Sequence, residues 1–280
     1  MKLQAHAKIN LSLDILGRRE DGYHDLSMVM LSVSLCDELT LTLTPPGVSF
    51  ACPDPSVPDG ESNTACRAAS LFLHHTGLAE RTGVRITLDK RIPSQAGLGG
   101  GSADAAAVLH GLNELTGVAL PKEELLSLGL RVGADVPFCL EGGSRLVGGV
   151  GEILSPAPPM IPCFLVISKP PVGVSTPDAF RRADARTDGG HDYTGAVLRA
   201  LETGDLALLG AAIGNDFEDV TRLPEVERIK GLLLEAGAAG ARMTGSGSAV
   251  FGLFADEGAA RRCADQLKHE YPQTFFCVPV

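Results

Sequence analysis

From Pro93 to Ser102 the chain reads Pro-Ser-Gln-Ala-Gly-Leu-Gly-Gly-Gly-Ser, with four glycines in the five positions 97–101. A segment so poor in side chains loses much backbone entropy on folding, so it belongs where the backbone must turn sharply or approach something closely. A strand pattern, Val84–Leu88, precedes it. Apolar residues at helical spacing follow it: Ala105, Ala106, Val108, Leu109, Leu112 and Leu115. Strand, glycine loop and helix in this order aim a helix's free N–H groups and positive dipole end at an anion. The candidate phosphate-binding residues are therefore Pro93, Ser94, Gln95, Ala96, Gly97, Leu98, Gly99, Gly100, Gly101, Ser102 and Ala103. The Ser102 hydroxyl suits either a phosphate or magnesium. The segment is not a dinucleotide fingerprint, because Ser102 stands where the third glycine is required, and not a P-loop, because no lysine precedes Ser102.

Elsewhere the pattern is mixed. From Ala5 to Ile15 small and apolar residues alternate with His6, Lys8, Asn10, Ser12 and Asp14, which predicts a half-buried strand with one polar, solvated face. Leu39–Thr44 predicts a second strand, and Asp21-Gly22 marks a turn between the two. Helices are predicted from Ser62-Asn63 to His75, after Pro121, near 177–182, 195–201, 206–213 and 225–235, and at 257–269. A strand–turn–strand is predicted across 242–254, around Gly245-Ser246-Gly247-Ser248. Residues 155–162, Ser-Pro-Ala-Pro-Pro-Met-Ile-Pro, cannot continue a helix or a central strand and mark a domain boundary, giving domains 1–154 and 155–280. Strands and helices without a regular alternation place the chain in the α+β class.

The net charge of −10 and the absence of any Lys/Arg-rich run argue against a nucleic-acid polymer as partner. No run of eighteen apolar residues exists, so no membrane span is expected. The seven cysteines are odd in number and contain no Cys-x-x-Cys. They read as reduced thiols in a cytoplasmic protein, not as a disulfide framework or a zinc site.

The run Pro93…Gly97-Leu98-Gly99-Gly100-Gly101-Ser102-Ala103-Asp104-Ala105-Ala106 resembles the ATP loop of the GHMP kinases, and Thr244-Gly245-Ser246-Gly247-Ser248-Ala249 resembles that family's second glycine-rich segment. Ala7-Lys8-Ile9-Asn10-Leu11, Gly17–His24 and Gly133-Ala134-Asp135-Val136-Pro137-Phe138 are similar to the branch that phosphorylates the 2-hydroxyl of a CDP-linked methylerythritol, in the non-mevalonate route to isoprenoid precursors. The resemblance runs from Ala7 to Phe251. It implies a two-domain fold, with a ribosomal S5-like ATP-binding domain followed by a ferredoxin-like domain. It implies ATP and Mg²⁺ as cofactors and a small-molecule CDP-linked polyol as partner.

The resemblance also implies residue roles. Lys8 and Asp135 would be catalytic, Asp135 either receiving the hydroxyl proton or orienting the hydroxyl, and Lys8 supplying positive charge. Asn10, Tyr23, His24, Thr176, Phe180, Gly245 and Ser246 would bind the substrate, with Tyr23 and His24 recognising cytosine. Phe180 is either the aromatic closing the other side of the base or a core residue. Asn63 is either near the adenosine or simply a helix cap. Asp104 departs from the asparagine many members carry. No protein carboxylate stands out as a metal ligand, so no metal-binding residue is assigned. The rivals are another GHMP kinase, such as a homoserine kinase, and a catalytically inactive relative that only binds its ligands.

Overall fold

The computed structural model describes residues 1–185 and 191–280. They form two compact units interleaved along the chain. The first comprises residues 1–7, 35–92 and 99–141, and the second 8–34, 93–98 and 142–280. Two long strands, β1 (Lys2–Arg18) and β2 (His24–Thr44), each contribute residues to both.

In the first unit, β3 (Gly47–Ala51) pairs parallel with β4 (Gly83–Asp89), and β4 pairs antiparallel with residues 38–44 of β2. Burial along β4 alternates, with Val84, Ile86 and Leu88 inside and Arg85 and Thr87 outside. The inner face is covered by α1 (Thr64–His75) and α2 (Gly100–Thr116), with α3 (Lys122–Val132) and α4 (Val136–Glu141) packed against them. The predicted α1 stripe, Ala65, Ala68, Ala69 and Phe72, is wholly buried. The small residues let α1 and α2 approach closely, while burial of a side chain such as Phe72 contributes about 1.5–3 kcal/mol. Pro121 precedes α3, whose first turn carries Glu123 and Glu124, as their preferences near a helix N-terminus require.

Beneath the start of α2 lies a buried charge cluster. Lys90 Nζ donates to Asp37 Oδ2 at 2.5 Å and to Asp104 Oδ2 at 2.8 Å. Asp37 is further satisfied by the backbone N–H groups of Arg91 and Ile92. Asp104 Oδ1 is buried with no hydrogen-bond partner among the described residues. Burial pushes the Asp104 carboxyl up to about 7; the Lys90 charge opposes the shift and Asp37 adds to it.

In the second unit, residues 8–18 of β1 lie between the early part of β2 and β8 (Gly214–Asn215). β5 (Ser144–Gly149) pairs antiparallel with residues 26–31 of β2, and β6 (Ile153–Pro156) pairs with β5. Pro156 thus sits in an edge strand, where a missing N–H is tolerated. A second, four-stranded antiparallel sheet has the order β11 (Thr274–Cys277), β7 (Phe164–Ser168), β10 (Val250–Phe254), β9 (Gly240–Met243). α9 (Pro224–Glu235) and α10 (Glu257–Lys268) pack on it. The helices α5 (Thr176–Asp184), α6 (Tyr193–Thr203), α7 (Leu206–Ala212) and α8 (Asp216–Thr221) complete the unit. The strand–turn–strand prediction is realised as β9 and β10. Among the described residues no helix is long and apolar enough to cross a membrane.

One expectation is overturned. The polar face of β1 is not solvated, since Lys8, Asn10, Ser12 and Asp14 are all buried. Ser12 Oγ lies 2.9 Å from Thr194 Oγ1 and accepts from the Val29 N–H at 2.9 Å. Asp14 accepts from the N–H groups of Tyr193 and Thr194 at 2.9 and 2.8 Å, which places its carboxylate at the N-terminus of α6. An alternating pattern says that two faces differ; it does not say that the polar one meets water, because residues far along the chain can satisfy it.

The Asp104 carboxyl supplies a test. A folded-state pKa raised above 3.8 means the folded protein holds a proton that the unfolded chain has released, so stability falls as pH rises from about 4 through about 7. Asp104→Asn has no such proton and can donate to Asp37. Relative to wild type it should therefore gain stability between pH 5 and pH 8, by on the order of 1 kcal/mol or more. Urea unfolding at the two pH values measures the difference; an equal gap at both would remove Asp104 from the pH dependence.

Candidate active site

Lys8 and Asn10 sit side by side on the buried face of β1. Lys8 Nζ donates to Asn10 Oδ1 at 2.8 Å. An ammonium can only donate, so this bond assigns the amide orientation and turns Asn10 Nδ2 towards Met28 Sδ, 3.3 Å away. The Asn10 N–H donates to Thr244 Oγ1 at 2.9 Å. Thr244 opens the turn between β9 and β10, and its hydroxyl also lies 3.4 Å from the carbonyl oxygen of Gly97, in the first glycine loop. The Ala249 N–H donates to Ala96 O at 3.1 Å, and the Lys8 N–H to Leu98 O at 3.0 Å.

Two segments 147 residues apart therefore meet backbone to backbone. A Cβ at Gly97, where φ is +74°, would lie 2.0 Å from the Thr244 carbonyl oxygen; one at Gly245 would lie 3.4 Å from Lys8 Nζ. The buried amide of Asn215 reinforces the turn. Its Nδ2 donates to Met243 O and Gly245 O at 2.8 Å each, while its oxygen accepts from the Phe217 N–H.

The first unit carries the remainder of the glycine loop. Gly99, at φ +66°, is the N-cap of α2, and no side chain caps that helix. The first turn of a 17-residue helix thus has no N-cap side chain over its N–H groups, the arrangement that binds phosphate. Gly100 and Gly101 are helical, and what they supply is room. A Cβ would come 2.9 Å from Lys90 Nζ at the former and 3.0 Å from Thr64 Oγ1 at the latter. Positive φ in this stretch falls instead at Gln95, Gly97 and Gly99.

Thr64 Oγ1 donates to Gly101 O at 2.6 Å, tying the start of α1 to the start of α2. Asn63 caps α1. Its oxygen accepts from Ala65 N and Cys66 N, and its Nδ2 donates to Pro58 O. Ser102 faces the Gly133 turn, where a Cβ on Gly133 would lie 3.9 Å from its hydroxyl. Asp135 ends that turn as the residue before α4, and its carbonyl accepts from the Cys139 N–H at 3.1 Å. The loop thus combines a phosphate cradle with the Ser102 hydroxyl, and hydroxyl and phosphate oxygens are hard donors of the kind that fits magnesium.

Of the expected base-recognition residues, His24 and Phe180 meet at α5 in the second unit. Thr176 Oγ1, at its start, lies 2.8 Å from Ser246 Oγ. Phe180 stacks directly on His24, with centroids 4.4 Å apart and planes 16° apart, and meets the edge of Phe217 at 4.8 Å. Tyr23 is 66 % exposed on the Arg19–Tyr23 turn, which the Arg19 side chain braces through Asp21 and Asp25. Asp184, which sequence reasoning missed, lies with Oδ1 2.6 Å from His24 Nε2. Its signal was its position four residues after Phe180, on the same stripe of α5. Asn215 was missed as well, since its role depends on carbonyls brought to it by the fold.

The GHMP kinases N terminal domain matches residues 63–143, and the GHMP kinases C terminal domain matches 197–273. A 4-diphosphocytidyl-2-C-methyl-D-erythritol kinase of Geobacter metallireducens is 46 % identical over 270 residues, 95 % of this chain and 94 % of that protein. The same-named protein of Moorella thermoacetica is 46 % identical, covering 98 % and 97 %. A crystal structure of 4-(cytidine 5'-diphospho)-2C-methyl-D-erythritol kinase superposes with a TM-score of 0.85 at 38 % identity, covering 100 % of this chain and 99 % of that one. A homoserine kinase from Cytophaga hutchinsonii, at 23 % identity and TM-score 0.79, shares the fold.

The contact between Gly97 and Thr244 predicts that Gly97→Ala lowers stability by about 1–3 kcal/mol, through backbone strain and displacement of the second glycine turn. Gly231→Ala in α9 is the control. A Cβ added there would meet nothing within 4 Å, and the substitution should be neutral or stabilising by up to about 1 kcal/mol. Thermal and urea denaturation of the two variants compare them; equal stabilities would show that the Gly97 contact carries no weight.

Proposed function

This chain belongs to the GHMP kinases, in the family of the 4-diphosphocytidyl-2-C-methyl-D-erythritol kinases, and on that footing we propose that it transfers the γ-phosphoryl group of ATP to the 2-hydroxyl of that CDP-linked polyol. The observation that carries the reading is the glycine loop, pressed on Thr244 at Gly97 and leading into the side-chain-uncapped N-terminus of α2.

In the transfer, the substrate oxygen forms a bond to the γ-phosphorus, the bond to the β–γ bridging oxygen breaks, and ADP leaves. Positioning and charge stabilisation supply most of the catalysis in such a reaction. Asp135 orients the hydroxyl and takes its proton. Lys8, fixed by Asn10, supplies positive charge to the transferring group, and the N–H groups at the start of α2 hold the phosphates. Mg²⁺, held by the phosphates with Ser102, would neutralise charge on the β- and γ-oxygens. The adenine is assigned to the first unit, where Phe50, Ala51, Cys52, Val57 and Thr87 line a cavity of about 450 Å³.

Asn10, Gly245 and Ser246 face the polyol and its phosphates, with Thr176 steadying Ser246. The cytosine is stacked by Tyr23 and read by His24, whose ring Phe180 backs in place of the base. A homoserine substrate, with no base, has no use for these three side chains. Domains 1–154 and 155–280 are the family segments on this reading, and neither matched segment crosses residue 155. A cytoplasmic setting belongs to the same reading.

The test is a coupled assay offering the CDP-linked methylerythritol, homoserine and mevalonate in turn. Turnover is expected with the first alone, and preference for either of the others would overturn the assignment. Asp135→Ala should lower kcat at least about a hundredfold while leaving ATP affinity, by calorimetry, within a few-fold of wild type.

A further inference from the structure

Helix α5 presents two side chains to one imidazole. Phe180 and Asp184 are four residues apart, so they share a stripe of the helix. The first covers the His24 ring face at 4.4 Å, and the second holds its Nε2 edge at 2.6 Å. His24 is only 8 % exposed, and Phe217 packs against Phe180 in a T-shaped contact. Arg18 Nη1 lies 3.7 Å from Asp184 Oδ2. A carboxylate oxygen accepts in such a contact, so Nε2 carries the proton that lies between them.

We propose that Asp184 is a positioning residue for base selection: it pins His24 as the Nε2–H tautomer, so that Nδ1 offers a lone pair to the amino group of cytosine. The inference rests on the reading that His24 meets the base. Cytosine carries an amino donor at the position where uracil carries a carbonyl acceptor. A lone pair at Nδ1 satisfies the donor and faces the carbonyl with nothing to give. For His24 to accept uracil, its proton would have to move to Nδ1, and the Nε2 lone pair would then face the Asp184 carboxylate. Selection between the two bases is thus set by a residue that need touch neither. The logic is that of a carboxylate orienting a catalytic imidazole, applied to recognition.

The experiment measures kcat/KM for the CDP-linked and the UDP-linked substrate in wild type, Asp184→Asn, Asp184→Glu and His24→Ala. Nitrogen-15 NMR of the histidine rings in wild type and Asp184→Asn accompanies it. Wild type should prefer the CDP-linked substrate by at least roughly tenfold, the scale of one unpaired buried group. Asp184→Asn, whose amide can donate to Nε2, should lose most of that preference with the KM for ATP unchanged, and Asp184→Glu should restore part of it. The NMR should find His24 as the Nε2–H tautomer in wild type and not in Asp184→Asn. An unchanged preference in Asp184→Asn, or a His24 that is doubly protonated or Nδ1–H in wild type, would overturn the proposal. The underlying reading fails separately, and the proposal with it, if wild type uses both substrates equally or if His24→Ala keeps the preference.

Discussion

The buried polar face of β1 is the constraint on which the second unit is built. Lys8, Asn10, Ser12 and Asp14 point away from water, and leaving any one unpartnered costs about 1–3 kcal/mol, more where it is charged. Lys8 is met within the strand by Asn10, but Asn10, Ser12 and Asp14 draw on Thr244, Thr194 and Tyr193, between 179 and 234 residues downstream. The strand is therefore stable in this form only once the second half of the chain is in place. Its polar side chains dictate which elements come to it: α6 by its N-terminus at Asp14, the second glycine turn by Thr244 at Asn10.

The same principle joins the two glycine motifs. Each is a backbone segment that has shed its side chains, and at Gly97 and Thr244 the shedding lets one main chain rest on the other. The hydroxyl of Thr244 touches both β1 and the first loop, so a single side chain couples the strand carrying Lys8 to the loop ahead of α2. Asn215 then holds the turn from beneath by two carbonyls, much as a cap holds a helix end.

Much of this was legible in the residues. α1, α3, α9 and α10 announced themselves by apolar spacing and end signals, because a helix is a local structure whose bonds close within four residues. The glycine loop was legible because few structures other than a ligand cradle need four glycines across the start of a helix. The resemblance to the GHMP kinases supplied the rest of the candidate site. What stayed hidden was non-local. The early half of β2 runs on from His24 through an apolar segment with no clean alternation, since its residues are buried on both sides. β3, β5, β6 and β11 are short strands defined by partners, not by pattern. The polar face of β1 looked solvated because alternation carries no information about what covers a face. Asp184 looked like one more charge at a helix end, until the fold set it against His24.

The Asn10 amide is held very unequally at its two ends. Its oxygen receives an ammonium proton, among the strongest donors a side chain offers, while its nitrogen gives its proton to the thioether of Met28, among the weakest acceptors. The two ends differ in how cheaply they can change partners. An incoming hydroxyl or phosphate oxygen would take the amide proton from sulfur at little loss, and the carbonyl end would not have to let go of Lys8. Asn10 can thus exchange one bond while the other keeps the ammonium in place, so that binding need not disturb the charge beside it.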